Sequence, residues 1–387
     1  MINKIKKVTP AFLKEIVKDL AGHNFIKNHF NTRFDKNVLI SYITKPLITG
    51  HSYSHTNYQE VIAIANVFKS LDYNTDIINY TKAKKYDLNH YDVVFGLGES
   101  VEFALQHRTK RNTPIVIWHG TGSSPFYSNK VTINRLKFSY DESGILLYES
   151  TRFIEQMYPL SYTYSDLIVL YGNEFTKGTY ADHTYSTIET INPTTYFTHT
   201  PKTKTMASCS NYFWFGSAGA IHKGLDLLLH FFEKHPELNL HICGDLSRED
   251  RFYNYTKAKL LESPNIHYHG FVDVNSDRFK ELMDAGVFSI LPSCSEGIAT
   301  SVLTTMANGG MIPIVTKNSG IDIHDYGILI EELTLPAIEK AIAASQKLSL
   351  EEINRRSAKI ISHARQNFTI ENFSENLKKI LIKYLDK

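Results

Sequence analysis

The sequence predicts an α/β protein built of two Rossmann-like, doubly wound domains in tandem. Three observations carry that prediction. Short apolar runs of strand length alternate with segments of helical period between residues 37 and 171. A polar stretch at 192–208, with Pro193 and Pro201 in it, breaks the pattern. The alternation then restarts at 213 and continues to 330. The chain of 387 residues is long enough for two domains of ordinary size.

Composition narrows the class. Apolar residues make up 42% and charged residues 21%, the balance of a soluble globular protein. A net charge of +2 lacks the concentrated basic excess of a nucleic-acid binder, so no nucleic-acid partner is expected. The three cysteines, Cys209, Cys243 and Cys294, are too few and too far apart for a disulfide framework or a zinc site, and they predict a reducing cytoplasm. No apolar run approaches the roughly 20 residues of a membrane span. The basic start at residues 1–7 is not followed by the apolar core of a signal peptide. Tyr and Phe are abundant, which suits sugar-binding faces, although cores and interfaces use such rings more often.

Residues 1–36 form a preamble. Phe12, Leu13, Ile16, Val17 and Leu20 mark one face of a helix. It reads as a helix packed on the first domain. Lys4, Lys6 and Lys7 leave a second reading, a peripheral contact with the inner face of a membrane. Residues 37–44 (NVLISYIT) are the first buried strand, 45–57 a loop, and 58–71 a helix with Val61, Ile64, Ala65 and Phe68 on one face. Strands follow at 76–80, 91–95, 115–118 and 167–171, and a helix is predicted at 145–157. In a parallel sheet, ligands gather beyond the carboxyl ends of the strands. Gly96-Leu97-Gly98 lies there but lacks the third glycine of a dinucleotide fingerprint, which argues against a nicotinamide site. His119 follows a strand and precedes Gly120-Thr121-Gly122. It reads either as a buried structural histidine or as a cleft residue.

The second half opens with a strand at 213–216 and a helix at 224–232. Between them runs the turn Gly216-Ser217-Ala218-Gly219-Ala220-Ile221-His222-Lys223-Gly224. Small residues allow a phosphate close to the backbone, the following helix start favours negative charge, and Lys223 offers a full positive charge. Strands at 238–243 and 266–269 end in Gly244-Asp245 and Gly270-Phe271-Val272, with helices at 251–261 and 279–283. Residues 288–322 then read as strand, turn, helix, strand. The turn holds Pro292, Ser293 and Ser295-Glu296-Gly297. Ile298, Val302, Leu303 and Met306 mark the helix face, and Asn308-Gly309-Gly310 stops it. Residues 322–325 read as a loop and 327–330 as the last strand, followed by helices at 336–347, 351–366 and 371–385.

Pro292-Ser293, Glu296-Gly297 and Lys223-Gly224, in this order of elements, resemble the donor-binding half of the retaining glycosyltransferases of the GT-B fold, family GT4. The resemblance is specific over 213–322 and only topological before it. It implies two domains facing a cleft: 1–205 on the acceptor side, 206–370 on the nucleotide-sugar side, and a last helix at 371–387 packing back toward the first. It implies transfer of a sugar from a nucleotide-diphosphate donor to a glycan, a lipid-linked glycan or another hydroxyl acceptor, with no metal and no other cofactor, in surface polysaccharide assembly. Glu296 and His119 would hold the sugar. Lys223, with Gly216 and Ser217 of its turn and the helix-start amides of Gly297, Ile298, Ala299 and Thr300, would hold the diphosphate. Gly244, Phe271 and Val272 would meet the nucleoside.

Two departures from the family pattern stand out. A second Glu is usual eight positions after the first, where this chain has Thr304, and an Arg usually accompanies the Lys in the phosphate turn, where this chain has Ser217 and Ala218. These departures keep two other readings open: a nucleotide-sugar 2-epimerase, and a non-catalytic glycan-binding scaffold on the same fold.

Overall fold

The structure is a computed structural model and describes residues 24–50, 52–82, 86–109 and 113–385. The helix predicted at 12–20 lies outside the described residues.

The first sheet is built from β1 (Phe25–Ile26), β2 (Lys36–Tyr42), β3 (Tyr73–Asn79), β4 (Val93–Gly96), β5 (Ile115–Gly120), β6 (Leu167–Tyr171) and β7 (Thr187–Ile191). Its order is β1-β3-β2-β4-β5-β6-β7, parallel throughout except for the two-residue β1. Helices α1 (Lys45–Thr49), α2 (Asn57–Lys69), α3 (Glu99–Gln106), α4 (Pro125–Ser143), α5 (Pro159–Thr163) and α6 (Glu174–Gly178) connect the strands. The second sheet contains β8 (Asn211–Phe215), β9 (Asn239–Cys243), β10 (Ile266–Gly270), β11 (Phe288–Leu291), β12 (Ile312–Thr316) and β13 (Ile328–Ile330), in the order β10-β9-β8-β11-β12-β13 and all parallel. It is flanked by α7 (Leu225–Glu233), α8 (Asp250–Glu262), α9 (Asp277–Ala285), α10 (Thr300–Gly309), α11 (Leu335–Gln346) and α12 (Leu350–Asn367). Central strands such as LIVLY and FSIL are buried along their whole length, as parallel strands covered on both faces require. Among the described residues no helix is long and apolar enough to cross a membrane.

The last helix, α13 (Ile370–Leu385), leaves the second sheet and buries Phe373, Leu377 and Leu381, spaced four apart, in the core of the first beside α2. The polar stretch 192–208, which reads as a linker, has no regular secondary structure before a 3-10 turn at Met206–Ser208, but it is tightly packed. Thr194 donates through its N–H and Oγ1 to the buried Glu60 carboxylate, and the Thr195 N–H donates to the Phe368 carbonyl.

The helix predicted at 145–157 is not there. The helix is α4, which ends at Gly144 with φ 68°, a left-handed conformation that glycine adopts without a Cβ penalty. Residues 145–158 run irregularly, with one turn of 3-10 helix at Tyr148–Ser150. This segment docks on the second half of the chain: Leu147 is fully buried in the core around β8 and β11. The Arg135 guanidinium of α4 pairs with the Asp226 carboxylate at the start of α7.

Candidate active site

The turn after β11 is pinned from several sides. The Cys294 N–H donates to the His222 carbonyl, the Glu296 N–H to the Asn318 carbonyl, and the Thr316 hydroxyl to the Ser293 carbonyl. The first half of the chain closes on the same turn. The Ser123 hydroxyl donates to the Glu296 carbonyl at 2.7 Å and the Thr176 hydroxyl to the Gly297 carbonyl at 3.0 Å. A Cβ on Gly297 would lie 2.7 Å from the carbonyl oxygens of Thr121 and Tyr171. Gly297 is therefore one point where the two halves touch backbone to backbone.

Glu296 and Lys223 meet here. The Lys223 ammonium pairs with Glu296 Oε1, Arg152 Nη1 lies 3.0 Å from Oε2, and the Ser293 hydroxyl donates to Oε1 at 3.0 Å. Burial alone would raise the Glu296 pKa, but Lys223, Arg152 and His222 override it and hold the carboxyl at about 2. Burial pushes the Lys223 ammonium down, with the carboxylate opposing it. A pair this enclosed is ionised and hydrogen-bonded, and it leaves an uncompensated charge if either partner is removed.

The expected phosphate turn differs from its sequence reading. The amides of Gly219 and Ala220 donate to the Glu249 carboxylate at 2.6 and 3.0 Å, so they are not offered to a ligand. His222 adds no charge either. Burial lowers its pKa to about 4, and its Nε2–H donates to the Ser295 carbonyl at 2.6 Å. At the other turn, the Ala299 amide donates to the Ser319 carbonyl, and α10 begins one residue later at Thr300. Ile298 packs its side chain against the second core, and Ala299 is part of that core. The Ala299 amide is therefore not offered to a ligand.

Two cavities lie along the cleft, each lined by both halves of the chain. One, of about 1110 Å³, brings together Gly216, Ser217, Gly244, Phe271, Val272, Thr300 and Thr304. Phe271 is 64% exposed there. Thr304 shares a hydrogen bond with Thr195 at 3.3 Å and donates to the Thr300 carbonyl, so it closes the floor of this cavity. Arg248, His55 and Tyr53 also line it and were not singled out from the sequence. The other cavity, of about 990 Å³, contains Glu296, Gly297 and His222 with His119 and Arg152. Arg152 had no signal in sequence, since it follows an irregular segment with no pattern to place it.

His119 ends β5, with its ring among Tyr42, Phe95 and Tyr171 and only 1% exposed. Burial lowers its pKa to about 4, so the ring is neutral. Nδ1 faces the Val169 carbonyl at 3.3 Å and must carry the proton. That leaves Nε2 buried and without a hydrogen-bond partner. Among the described residues no group of three or more His, Cys, Asp or Glu is arranged to hold a metal ion.

Comparison with known proteins bears on the fold. Residues 204–348, which hold the second sheet and helices α7 to α11, match the family model of the glycosyl transferases group 1. No curated protein sequence matches the chain. Among solved structures, a glycosyltransferase from Rickettsia africae is similar at 13% identity and a TM-score of 0.56, over 92% of this chain and 100% of that one. Anabaena HepE in complex with UDP and glucose is similar at 12% identity and a TM-score of 0.55, over 91% of this chain and 100% of that one. A mutant of S. aureus TarM, in complex with fondaparinux, α-GlcNAc-glycerol and UDP, is similar at 14% identity and a TM-score of 0.52, over 74% of this chain. This chain spans 54% of the TarM chain it matches. The fold is that of the GT-B glycosyltransferases.

Proposed function

We propose that the protein is a retaining glycosyltransferase of the GT4 type, moving a hexose from a nucleoside diphosphate to a hydroxyl of a glycan or lipid-linked glycan without a metal ion. The observation that carries this reading is the ionised Lys223–Glu296 pair in a cleft lined from both halves of the chain. UDP is favoured as the carrier because HepE and TarM are both solved with it. The cavity with Phe271 and Thr304 takes the nucleoside, and the cavity with Glu296 takes the sugar and the acceptor. The three cysteines are free, which fits a reducing compartment such as the cytoplasm.

In the reaction the bond between the anomeric carbon and the β-phosphate oxygen breaks, and its electron pair leaves with the phosphate. The acceptor oxygen forms the new bond on the same face, and its proton passes to the departing phosphate oxygen. Lys223 stabilises the charge that grows on that phosphate. Glu296, ionised at every physiological pH, accepts hydrogen bonds from hydroxyls of the sugar and cannot serve as a general acid. His119 has the smaller part, a buried neutral ring behind the wall of the sugar cavity.

The test is turnover of UDP-glucose and UDP-GlcNAc with and without oligosaccharide acceptors, comparing wild type with Glu296→Gln. Acceptor-dependent release of UDP, lost in the variant, supports the reading. Free sugar released without acceptor would point instead to the epimerase. Glycan binding with no turnover of any donor would point to the scaffold.

A further inference from the structure

The expected diphosphate site is short of positive charge on its own side of the cleft. Ser217 and Ala218 stand where the resemblance implies an Arg, the Gly219 and Ala220 amides are taken by Glu249, and His222 is bonded to a carbonyl. Within this turn Lys223 is the one cation for a group that carries two or more negative charges, and Arg248 on the same side lines the nucleoside cavity. The structure brings a second cation to the same place from the other half of the chain.

Arg152 follows the irregular segment after α4. Its Nη1 lies 3.0 Å from Glu296 Oε2, on the opposite carboxylate oxygen from Lys223. Its aliphatic stem lies on Gly219, where a Cβ would fall 2.7 Å from the Arg152 Cγ and where φ is +98°. Two features make glycine necessary at 219, and one of them is room for this arginine. The backbone leading to Arg152 is fixed to the same turn. The Ser150 carbonyl accepts the N–H groups of Ile221 and His222 at 3.1 and 3.2 Å, and Leu147 is buried in the second core. The guanidinium itself remains reachable, since the side chain is 49% exposed. It lines the sugar cavity beside Glu296 and Gly297.

We propose that Arg152 is the second diphosphate-binding cation of this site, supplied by the first half of the chain in place of the arginine missing from the turn at Ser217. This rests on the nucleotide-sugar reading above. A planar guanidinium presents paired N–H groups that match phosphate oxygens, which a lysine at the same distance does not. Held by Gly219 and Ser150, it is preorganised, and Glu296 orients it toward Lys223.

The experiment is calorimetric titration of the full chain with UDP, ADP, GDP and the three parent nucleosides. The proteins are wild type, Arg152→Ala, Lys223→Ala and the double variant Arg152→Ala with Ser217→Arg. The expected result is that Arg152→Ala weakens the preferred diphosphate roughly tenfold to a hundredfold, the range for hydrogen bonds to charged groups. The matching nucleoside should change less than about twofold, and Ser217→Arg should restore part of the diphosphate affinity. Unchanged diphosphate affinity in Arg152→Ala, with Lys223→Ala weakened, overturns the proposal and leaves the nucleotide reading standing. Equal weakening of diphosphate and nucleoside assigns Arg152 to the structure of the cleft and also overturns it. A wild type that binds none of the three diphosphates overturns the proposal and the reading together.

Discussion

Lys223 and Glu296, 73 residues apart in sequence, form a buried ion pair where the two βα turns of the second sheet meet. Removing one partner leaves the other charged in a poorly solvated place, a change that typically costs about 3–5 kcal/mol. Glu296→Gln should therefore lower stability by a few kcal/mol and remove nearly all turnover. Lys223→Ala should be gentler on stability, because Arg152 still holds the carboxylate. Urea melts of both variants, beside donor turnover, test the order.

Gly297→Ala should act on the contact between the halves. The new methyl would press on the Thr121 and Tyr171 carbonyls at 2.7 Å. Overpacking of this kind costs about 1–3 kcal/mol, and backbone carbonyls yield less readily than side-chain tips. A lower melting temperature together with lost turnover is expected. Unchanged values in both would show that the halves do not close on Gly297 in solution.

Leu147→Ala tests whether the segment after α4 is part of the second core. A fully buried leucine cut to alanine costs about 2–5 kcal/mol. If the segment also carries Arg152, the variant should lose diphosphate affinity more than nucleoside affinity. Chemical denaturation and titration with UDP and uridine give the two readings.

Acid should destabilise the protein well above the carboxylate range. Burial lowers His119 and His222 to about 4 and His241 to about 3, so all three are neutral when folded. Their ordinary value is about 6.5. Each therefore contributes stability that is complete above pH 6.5 and is lost as pH falls from there toward 4. The unfolded chain binds the extra protons, and each one steepens the fall by up to about 1.4 kcal/mol per pH unit. Glu296 adds its own loss only below about 4.5, on the way to about 2. Urea midpoints between pH 7.5 and 4.5 should show the drop, and His119→Phe, which keeps a ring between Tyr42, Phe95 and Tyr171, should flatten it. An unaltered slope in that variant would mean His119 is protonated in the folded state.

Phe271 should bear on the nucleoside alone. Its ring is 64% exposed in the larger cavity and has a free face for a base. Phe271→Ala is expected to weaken uridine and UDP alike, by about 0.5–1.5 kcal/mol if an aromatic face is what is lost. Loss confined to UDP would place the ring elsewhere.

What could be read from the sequence, and what could not, divides along one physical line. Strands buried on both faces, such as 167–171 and 288–291, declare themselves as apolar runs. Helices such as α13 show a period of four in Phe373, Leu377 and Leu381. Helix α4 was invisible because its buried stripe is polar: Ser128, Thr132, Arg135 and Ser139 face inward, while Phe126, Ile133 and Tyr140 are exposed. A reading based on hydrophobic period must miss a helix of that kind. Glu296 and Lys223 were legible because they occupy turns with a recognisable order of residues. Arg152 and Glu249 reach the site through tertiary contacts between distant segments, for which one sequence holds no spacing rule.

The placement of α13 has a consequence for how the chain is made. Residues 37–191 are synthesised early, yet the groove beside α2 is filled by Phe373, Leu377 and Leu381 of the last helix. Emerging at about 5–20 residues per second, the nascent first half has to wait on the order of 10–40 s before these side chains exist. Through that interval it carries an open apolar groove. The second sheet closes its own core only shortly before, with Ile353, Ile360 and Ala364 of α12 and Phe368 after it. The first sheet, translated earlier, reaches its native packing last, and a nascent chain halted before residue 370 should bind trigger-type chaperones that the released protein does not.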